Sequence, residues 1–377
     1  MRSVAVFVFV FVVALSVVLF SCCAGAQEVI EQHAVPRGLR AVTVFKRGGV
    51  LYVAGVDVST TPYTILVYSV NGSRVVDTIA CADAGYSAAG GNEAYYVCHY
   101  NLIRVPGGGT VYSFYYKPYF IMYDWYSGKV LAFINAAVGT DLYVVDVATG
   151  SAKSYLFRDF YIYGAGATED SYYMLMYNAA TGWWIARYSR DLSRVLANVS
   201  IPTPLASNTA LARYSAFAAN DIAIVVLFNG YTLVLDKNLN IAANISKGFE
   251  RVSASRYHFY AYDSGLYVVS PTGYYYPVGV AAYTYFSMAG ATTFFSDLGV
   301  AYSDTGVLYI IKPPLDVVPV TVTTTVVQPV PVVRTVISVS TTTVSTFVAY
   351  PETPVAIAIF VAIVIVAAGV YLVLRRM

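Results

Sequence analysis

The chain has 377 residues, 58% of them hydrophobic and only 12% charged, with a formal net charge of +2. It has no basic footprint and no acidic tail, so no nucleic-acid partner is expected. Three of the 23 Lys and Arg (Arg2, Arg375 and Arg376) sit at the two ends, and the remaining 20 face 21 Asp and Glu.

Arg2, the apolar run Val4–Phe20 and the small residues Ala24-Gly25-Ala26 predict a secretory signal peptide over residues 1–26, cleaved before Gln27. An uncleaved N-terminal span is the rival reading. Lipid attachment at Cys22 or Cys23 is a second, disfavoured by the bulky Phe20. Cys81 and Cys98 then remain as an even pair in an exported chain, for which a disulfide is the default. His99 is adjacent, but no second pair completes a metal site. Three sequons, at Asn71, Asn198 and Asn244, are candidate N-glycosylation sites, with Asn71 at an apparent hairpin tip.

From Arg40 to Lys312 short runs of Val, Ile, Tyr, Phe and Leu alternate with Gly, Asn, Asp and Ser turns. That pattern predicts an all-β domain, taken to occupy residues 27–312. The expected strands include Val50–Ala54, Thr64–Val70, Ala94–Cys98, Asp141–Val147, Tyr172–Tyr177 and Ile222–Phe228. Thr232–Asp236, Leu266–Ser270 and Val307–Lys312 follow. A unit recurs: a strand, a polar turn ending in Gly, then a second strand. The clear copies are Tyr123-Asp124 to Gly128, Tyr143 to Asp146 and Gly150, and Tyr177-Asn178 to Gly182. Looser ones run from Tyr68 through Asn71-Gly72 and from Leu235-Asp236 to Asn240. Asp or Asn at the turn start caps its own backbone, and Gly supplies the positive φ.

This unit resembles the repeat of β-propellers of the PQQ-like and YVTN type, with its strand, Asp-x-x-Thr-Gly and strand. At ~40–45 residues per blade the resemblance implies six or seven blades, with seven favoured. The spacing is uneven, since Gly128 and Gly150 are close enough for both turns to lie in one blade. A pair of β-sandwiches is the alternative fold. Quinone-dependent dehydrogenases of the propeller fold need a docking set of charged and metal-binding residues. None is found here, so no catalytic residue, cofactor or metal is assigned. The three His (His33, His99, His258) have no partner at ligand spacing. Glu169-Asp170 reads as a turn and Gly107-Gly108-Gly109 as a loop. The aromatic groups Tyr95-Tyr96, Tyr115-Tyr116, Tyr172-Tyr173, Trp183-Trp184 and Tyr274–Tyr276 are either stacking platforms for sugars or strand packing with one ring in and one out.

Residues 313–353 change to a Thr/Val/Pro-rich stalk. Its prolines block helix and favour extended chain of up to ~130 Å, and its Thr and Ser invite O-glycans. Pairing of its Val/Thr alternation as edge strands is the alternative. Residues 354–374 predict one transmembrane helix. The uncharged run Val355–Leu374 spans about 30 Å, and Arg375-Arg376 of the tail 375–377 faces the cytoplasm. Signal, β-rich body, stalk and anchor together resemble archaeal cell-surface proteins. The expected function is non-catalytic: an extracellular propeller, tethered to the cell membrane by one helix, that binds a protein or glycan partner. An exported propeller enzyme, a quinone-dependent oxidoreductase or a lyase, and a structural cell-envelope component are the alternatives.

Overall fold

The computed structural model describes residues 29–89, 93–205, 216–255, 258–263, 265–277, 286–288, 299–303, 305–311, 319–325 and 341–347. The expected signal segment (1–26) and membrane helix (354–374) lie outside these residues. Among the described residues no helix is long and apolar enough to cross a membrane.

Each apolar run bounded by turn residues becomes a strand, and consecutive strands pair antiparallel in fours. β1 (Val29–Ala34) precedes the first complete blade. Blade 1 comprises β2 (Leu39–Arg47), β3 (Val50–Asp57), β4 (Thr64–Ser69) and β5 (Arg74–Ala80). Blade 2 comprises β6 (Ala84–Ala89), β7 (Ala94–Cys98), β8 (Asn101–Val105) and β9 (Thr110–Ser113). Blade 3 holds β10 (Phe120–Asp124), β11 (Lys129–Ala136), β12 (Gly139–Asp146) and β13 (Ser151–Arg158). Blade 4 holds β14 (Tyr161–Ala167), β15 (Ser171–Asn178), β16 (Gly182–Ser189) and β17 (Val195–Ile201). Blade 5 is β18 (Phe217–Ala219), β19 (Ala223–Leu227), β20 (Thr232–Asp236) and β21 (Ile241–Ile245). Blade 6 is β22 (Arg251–Ala254), β23 (Phe259–Tyr262), β24 (Leu266–Val269) and β25 (Tyr275–Pro277). Blade 7 is β26 (Phe286–Met288), β27 (Gly299–Ser303) and β28 (Val307–Ile311). Its fourth strand is β1, which pairs antiparallel with β28 from His33↔Leu308 to Val29↔Ile311.

Seven four-stranded sheets therefore form a seven-bladed β-propeller, closed by a strand from the start of the chain on the last blade. The sequence pattern places the domain over residues 27–312 but marks strands only from Arg40 onward, so this closing strand is not among the expected ones. VIEQHA carries Glu31, Gln32 and His33, and only its pairing partner makes it a strand.

Strand positions within a blade are called a (innermost) to d (outermost). Seven buried apolar clusters lie one in each gap between neighbouring blades. The cluster of Leu39, Val44, Val53, Tyr302 and Leu308 joins blade 7 to blade 1 and so completes the ring. Innermost strands approach one another most closely, which selects small residues. A Cβ placed on Gly166 of β14 would lie 2.6 Å from the Cβ of Ala219 on β18.

The recurring turns keep their expected chemistry. Asp146 Oδ1 accepts from the amides of Ala148 (3.0 Å) and Thr149 (3.1 Å). Asn178 Oδ1 accepts from Ala180 and Thr181. Gly128, Gly150 and Gly182 all take positive φ. Their places are not equivalent. The turn at Gly128 joins strands a and b of blade 3, that at Gly150 joins c and d of the same blade, and that at Gly182 joins b and c of blade 4. This explains the uneven spacing.

The chain divides into two compact units, Met1–Pro313 and Pro314–Met377. In the second, β29 (Pro319–Thr325) and β30 (Thr341–Phe347) pair as an antiparallel hairpin from Pro319↔Phe347 to Thr325↔Thr341. The Val/Thr alternation is thus paired over these residues, where extended single chain was expected.

Candidate functional site: a tyrosine face and a stapled face

The antiparallel order puts the a–b and c–d turns on one face of the disc and the b–c turns and d–a connections on the other. The two faces differ in kind.

On the b–c face the site is built around blades 1 and 2. Cys81 follows β5 and Cys98 ends β7, and they form the expected disulfide with Cα atoms 5.6 Å apart. It ties the outermost strand of blade 1 to strand b of blade 2. The Cys81 amide donates to the Tyr63 carbonyl (2.7 Å), drawing in the β3–β4 loop. On the far side, the Phe114 amide donates to the Tyr100 carbonyl (2.7 Å), and Ser113 Oγ donates to Asn101 Oδ1 (2.7 Å). The connection 114–119 is fixed at both ends. Phe114 is buried edge-on against Tyr112 and Tyr143. Tyr119 donates its hydroxyl to the Ile162 carbonyl at 2.6 Å. Lys117 Nζ pairs with Asp83 Oδ1 at 2.6 Å.

Between these anchors Tyr115 is 82% exposed and Tyr116 60%, with ring centroids 4.8 Å apart and planes at 87°. Tyr100 is 54% exposed and Tyr63 39%. These are large apolar rings held in water by a rigid support. Reduction of that support is expected to be costly. The Cys81→Ser/Cys98→Ser variant should lose about 3 kcal/mol of unfolding free energy, since the bond closes a separation of 17 residues. Urea titration of the two forms measures the difference.

The other aromatic groups go elsewhere. Tyr95, Tyr96, Tyr172 and Tyr173 are all buried. The expectation of one ring in and one out is corrected: strand b is covered on both sides. Tyr96 feeds the blade 1–2 core and Tyr95 the blade 2–3 core. Tyr172 and Tyr173 divide likewise between the cores on either side of blade 4. Trp183 is buried, and Tyr274 and Tyr275 are exposed at the c–d end of blade 6.

The a–b face holds a constellation with no local sequence signal. Asp124, at the end of β10, is fully buried. Its carboxylate accepts from the Tyr172 hydroxyl (2.6 Å), Arg190 Nη2 (2.5 Å), the Ser127 hydroxyl and the Tyr126 amide. The Arg190 guanidinium lies 4.3 Å from the Tyr172 ring centre. Burial, then the Asp124 charge, pushes the Tyr172 phenol up. The Tyr126 hydroxyl donates to Asp221 Oδ2, and Asp221 Oδ1 accepts from the Glu169 amide (3.2 Å). The a–b turns of blades 3, 4 and 5 are thus linked through side chains. A second staple sits further out: Arg187 reaches Asp170 at 2.9 Å and Tyr173 donates to the Lys237 carbonyl of blade 5 at 2.8 Å. In these two clusters acid and base are spent on one another.

Turn carboxylates give the protein an acid limit. Hydrogen bonds from Ser189 and Ser193 bring Asp191 from 3.8 down to about 2. The amides of Thr149 and Ala148 lower Asp146. Burial pushes Asp170 up, but Thr168, Lys237, Ser171 and Arg187 together leave it lowered. A depressed carboxylate stabilises the fold above its unfolded value and loses that contribution as pH falls through its folded value. The melting temperature should hold from pH 7 to about 4 and fall between about pH 4 and 2. A flat profile down to pH 2 in scanning calorimetry would contradict this.

Among the described residues no group of three His, Cys, Asp or Glu is placed to hold a metal ion. His33 lies on β1, 2.6 Å from Glu31; His99 is in the β7–β8 turn and His258 is buried in the β22–β23 turn. The three are on separate blades. The sequons are spread around the periphery. Asn71 is at the c–d turn of blade 1, with Oδ1 accepting from the Leu51 amide. Asn198 and Asn244 are exposed on the outermost strands β17 and β21.

No protein-family model matches this chain, and no curated protein matches it. Solved structures do. BamB from Moraxella catarrhalis is similar with a TM-score of 0.51 at 9% identity, over 77% of this chain and 98% of that one. The WD40 β-propeller domain of Doa1 is similar with a TM-score of 0.51 at 12% identity, over 76% and 97%. At these identities the likeness is one of fold: both agree with the β-propeller seen here.

Proposed function

We propose that this protein is a non-catalytic binding propeller, exported by its N-terminal segment and held on the outside of the cell membrane by residues 354–374, as in the archaeal surface proteins its layout resembles. The observation that carries the reading is the tyrosine surface of blades 1 and 2. Four exposed rings are supported by a disulfide, an ion pair and backbone hydrogen bonds, whereas the Asp124–Arg190 cluster on the opposite face is closed on itself. Exposed, rigid apolar surface is costly to keep unless something binds it. Its partner is an extracellular protein or glycan. The stalk, residues 313–353, sets the distance from the membrane, and glycans at Asn71, Asn198 and Asn244 occupy the rim and leave the tyrosine surface clear.

Protease treatment of intact cells tests the topology. A tag following residue 26 should be released by external protease while one after Met377 stays protected; the reverse pattern would sink the proposal.

A further inference from the structure

We propose that the Tyr115–Tyr116 corner is a binding site for an uncharged pyranose unit of an oligosaccharide; this rests on the binding role above and names its ligand. Four observations converge. The first is shape. One tyrosine ring stands at 87° to its neighbour at 4.8 Å, so the pair forms a floor and a wall. A pyranose matches such a corner. Its C–H face packs on an aromatic face, whose π surface attracts the weakly positive C–H groups, and its hydroxyl edge meets the phenol of the wall.

The second is chemistry. The loops that carry Tyr100, Tyr115 and Tyr116, residues 99–100 and 114–119, contain no Leu, Ile, Val or Met, and the Tyr63 loop adds one exposed aliphatic, Val58. A lipid chain is best held by aliphatic surface, whereas phenol rings combine apolar faces with hydrogen-bonding tips, which match the C–H faces and hydroxyls of a sugar ring. The third is charge. Lys117 is paired with Asp83 at 2.6 Å, leaving no free ion pair partner in the loop. Phosphate, sulfate and uronate groups need an unpaired cation, so the site selects neutral sugars.

The fourth is area. Tyr63, Tyr100, Tyr115 and Tyr116 expose 39%, 54%, 82% and 60% of their surface. At the area of a tyrosine this is roughly 500 Å². A standard protein interface buries about 800 Å² per partner, more than the four rings alone offer, whereas they suffice for a few sugar rings. Because Phe114 and Tyr119 already fix the loop, binding orders little that is free beforehand.

The test uses the full chain in phosphatidylcholine nanodiscs, which avoids sugar-headed detergents. Neutral tri- to pentasaccharides of glucose, mannose and galactose are titrated by calorimetry. At least one series should bind saturably. Tyr115→Ala/Tyr116→Ala should weaken it at least tenfold. Tyr115→Phe/Tyr116→Phe, which keeps the faces but removes the phenol tips, should weaken it by about three- to tenfold, less than the double Ala change, whereas Tyr274→Ala, an exposed tyrosine on the other face, should stay within about twofold of the parent. Circular dichroism confirms that the variants are folded. Binding that survives the double Ala change, or no binding in any series, overturns the assignment. A photo-cross-linker, Tyr116→benzoylphenylalanine, separates the two proposals. No sugar binding but a protein adduct on intact cells overturns the sugar site and leaves the binding role standing. Neither sugar nor adduct overturns both.

Discussion

Deleting β1, residues 29–34, is expected to open the ring and lower the melting temperature by roughly 10 °C or more. β1 is the outermost strand of blade 7, and five of its residues pair with β28. At about 1 kcal/mol per net hydrogen bond the loss approaches 5 kcal/mol, and a domain of this size shifts by about 2–4 °C per kcal/mol. The larger consequence is structural. β1 is the one connection by which a segment before blade 1 completes the sheet of blade 7. Without it β28 becomes an unpaired edge carrying buried Leu308 and Ile311, a template for intermolecular pairing. Size-exclusion chromatography should show higher oligomers alongside the lower transition in calorimetry. A synthetic peptide of residues 27–36 should restore the parent's elution volume by adding the strand back in trans. A deletion variant that elutes and melts with the parent would show that the propeller closes through side-chain packing at the blade 7–1 gap alone.

The same strand shows where the sequence was legible and where it was not. Every run singled out from sequence falls on a strand b or c, from Val50–Ala54 on β3 to Val307–Lys312 on β28. These strands are buried on both faces, so they read as continuous apolar runs. Innermost strands such as β14, YIYGAGA, are diluted by glycine because blades converge at the axis. Outermost strands such as β13, SAKSYLFR, alternate towards solvent and resemble loop. β1 is weaker still, because its partner lies at the other end of the domain.

The candidate site divides in the same way. Cys81–Cys98 followed from counting cysteines. Tyr115-Tyr116 carried the same local signal as Tyr95-Tyr96 and Tyr172-Tyr173. What separates it is the neighbouring Pro118, which excludes a central strand and leaves the pair in a connection. Asp124, Tyr172, Arg190 and Asp221 come together only through blade packing, and no spacing announces them.

Asp124→Ala is expected to cost about 3 kcal/mol or more, the largest loss from any single side chain on the a–b face. The carboxylate is fully buried and accepts from Arg190, Tyr172 and Ser127. Its removal strands a guanidinium of which only 24% of the side chain is exposed. Breaking a buried pair from one side costs about 3–5 kcal/mol because the other charge stays behind; the partial exposure of Arg190 puts the expectation at the lower end. Arg190→Ala should cost somewhat less: Asp124 loses its cation but keeps the Tyr172 and Ser127 hydroxyls and the Tyr126 amide as donors. The double variant should cost clearly less than the sum, with a coupling above about 1 kcal/mol. Asp124→Asn, which retains an acceptor and the shape, should fall between parent and Ala. Urea titration of the four proteins gives the cycle. Coupling below about 0.5 kcal/mol would mean that the blades are held by their apolar cores and that the Asp124–Arg190 pair only fills the space between them. Because the cluster lies on the face opposite Tyr115 and Tyr116, Asp124→Asn should leave sugar binding at that corner within about twofold of the parent, so that stability and binding report on separate faces of one ring.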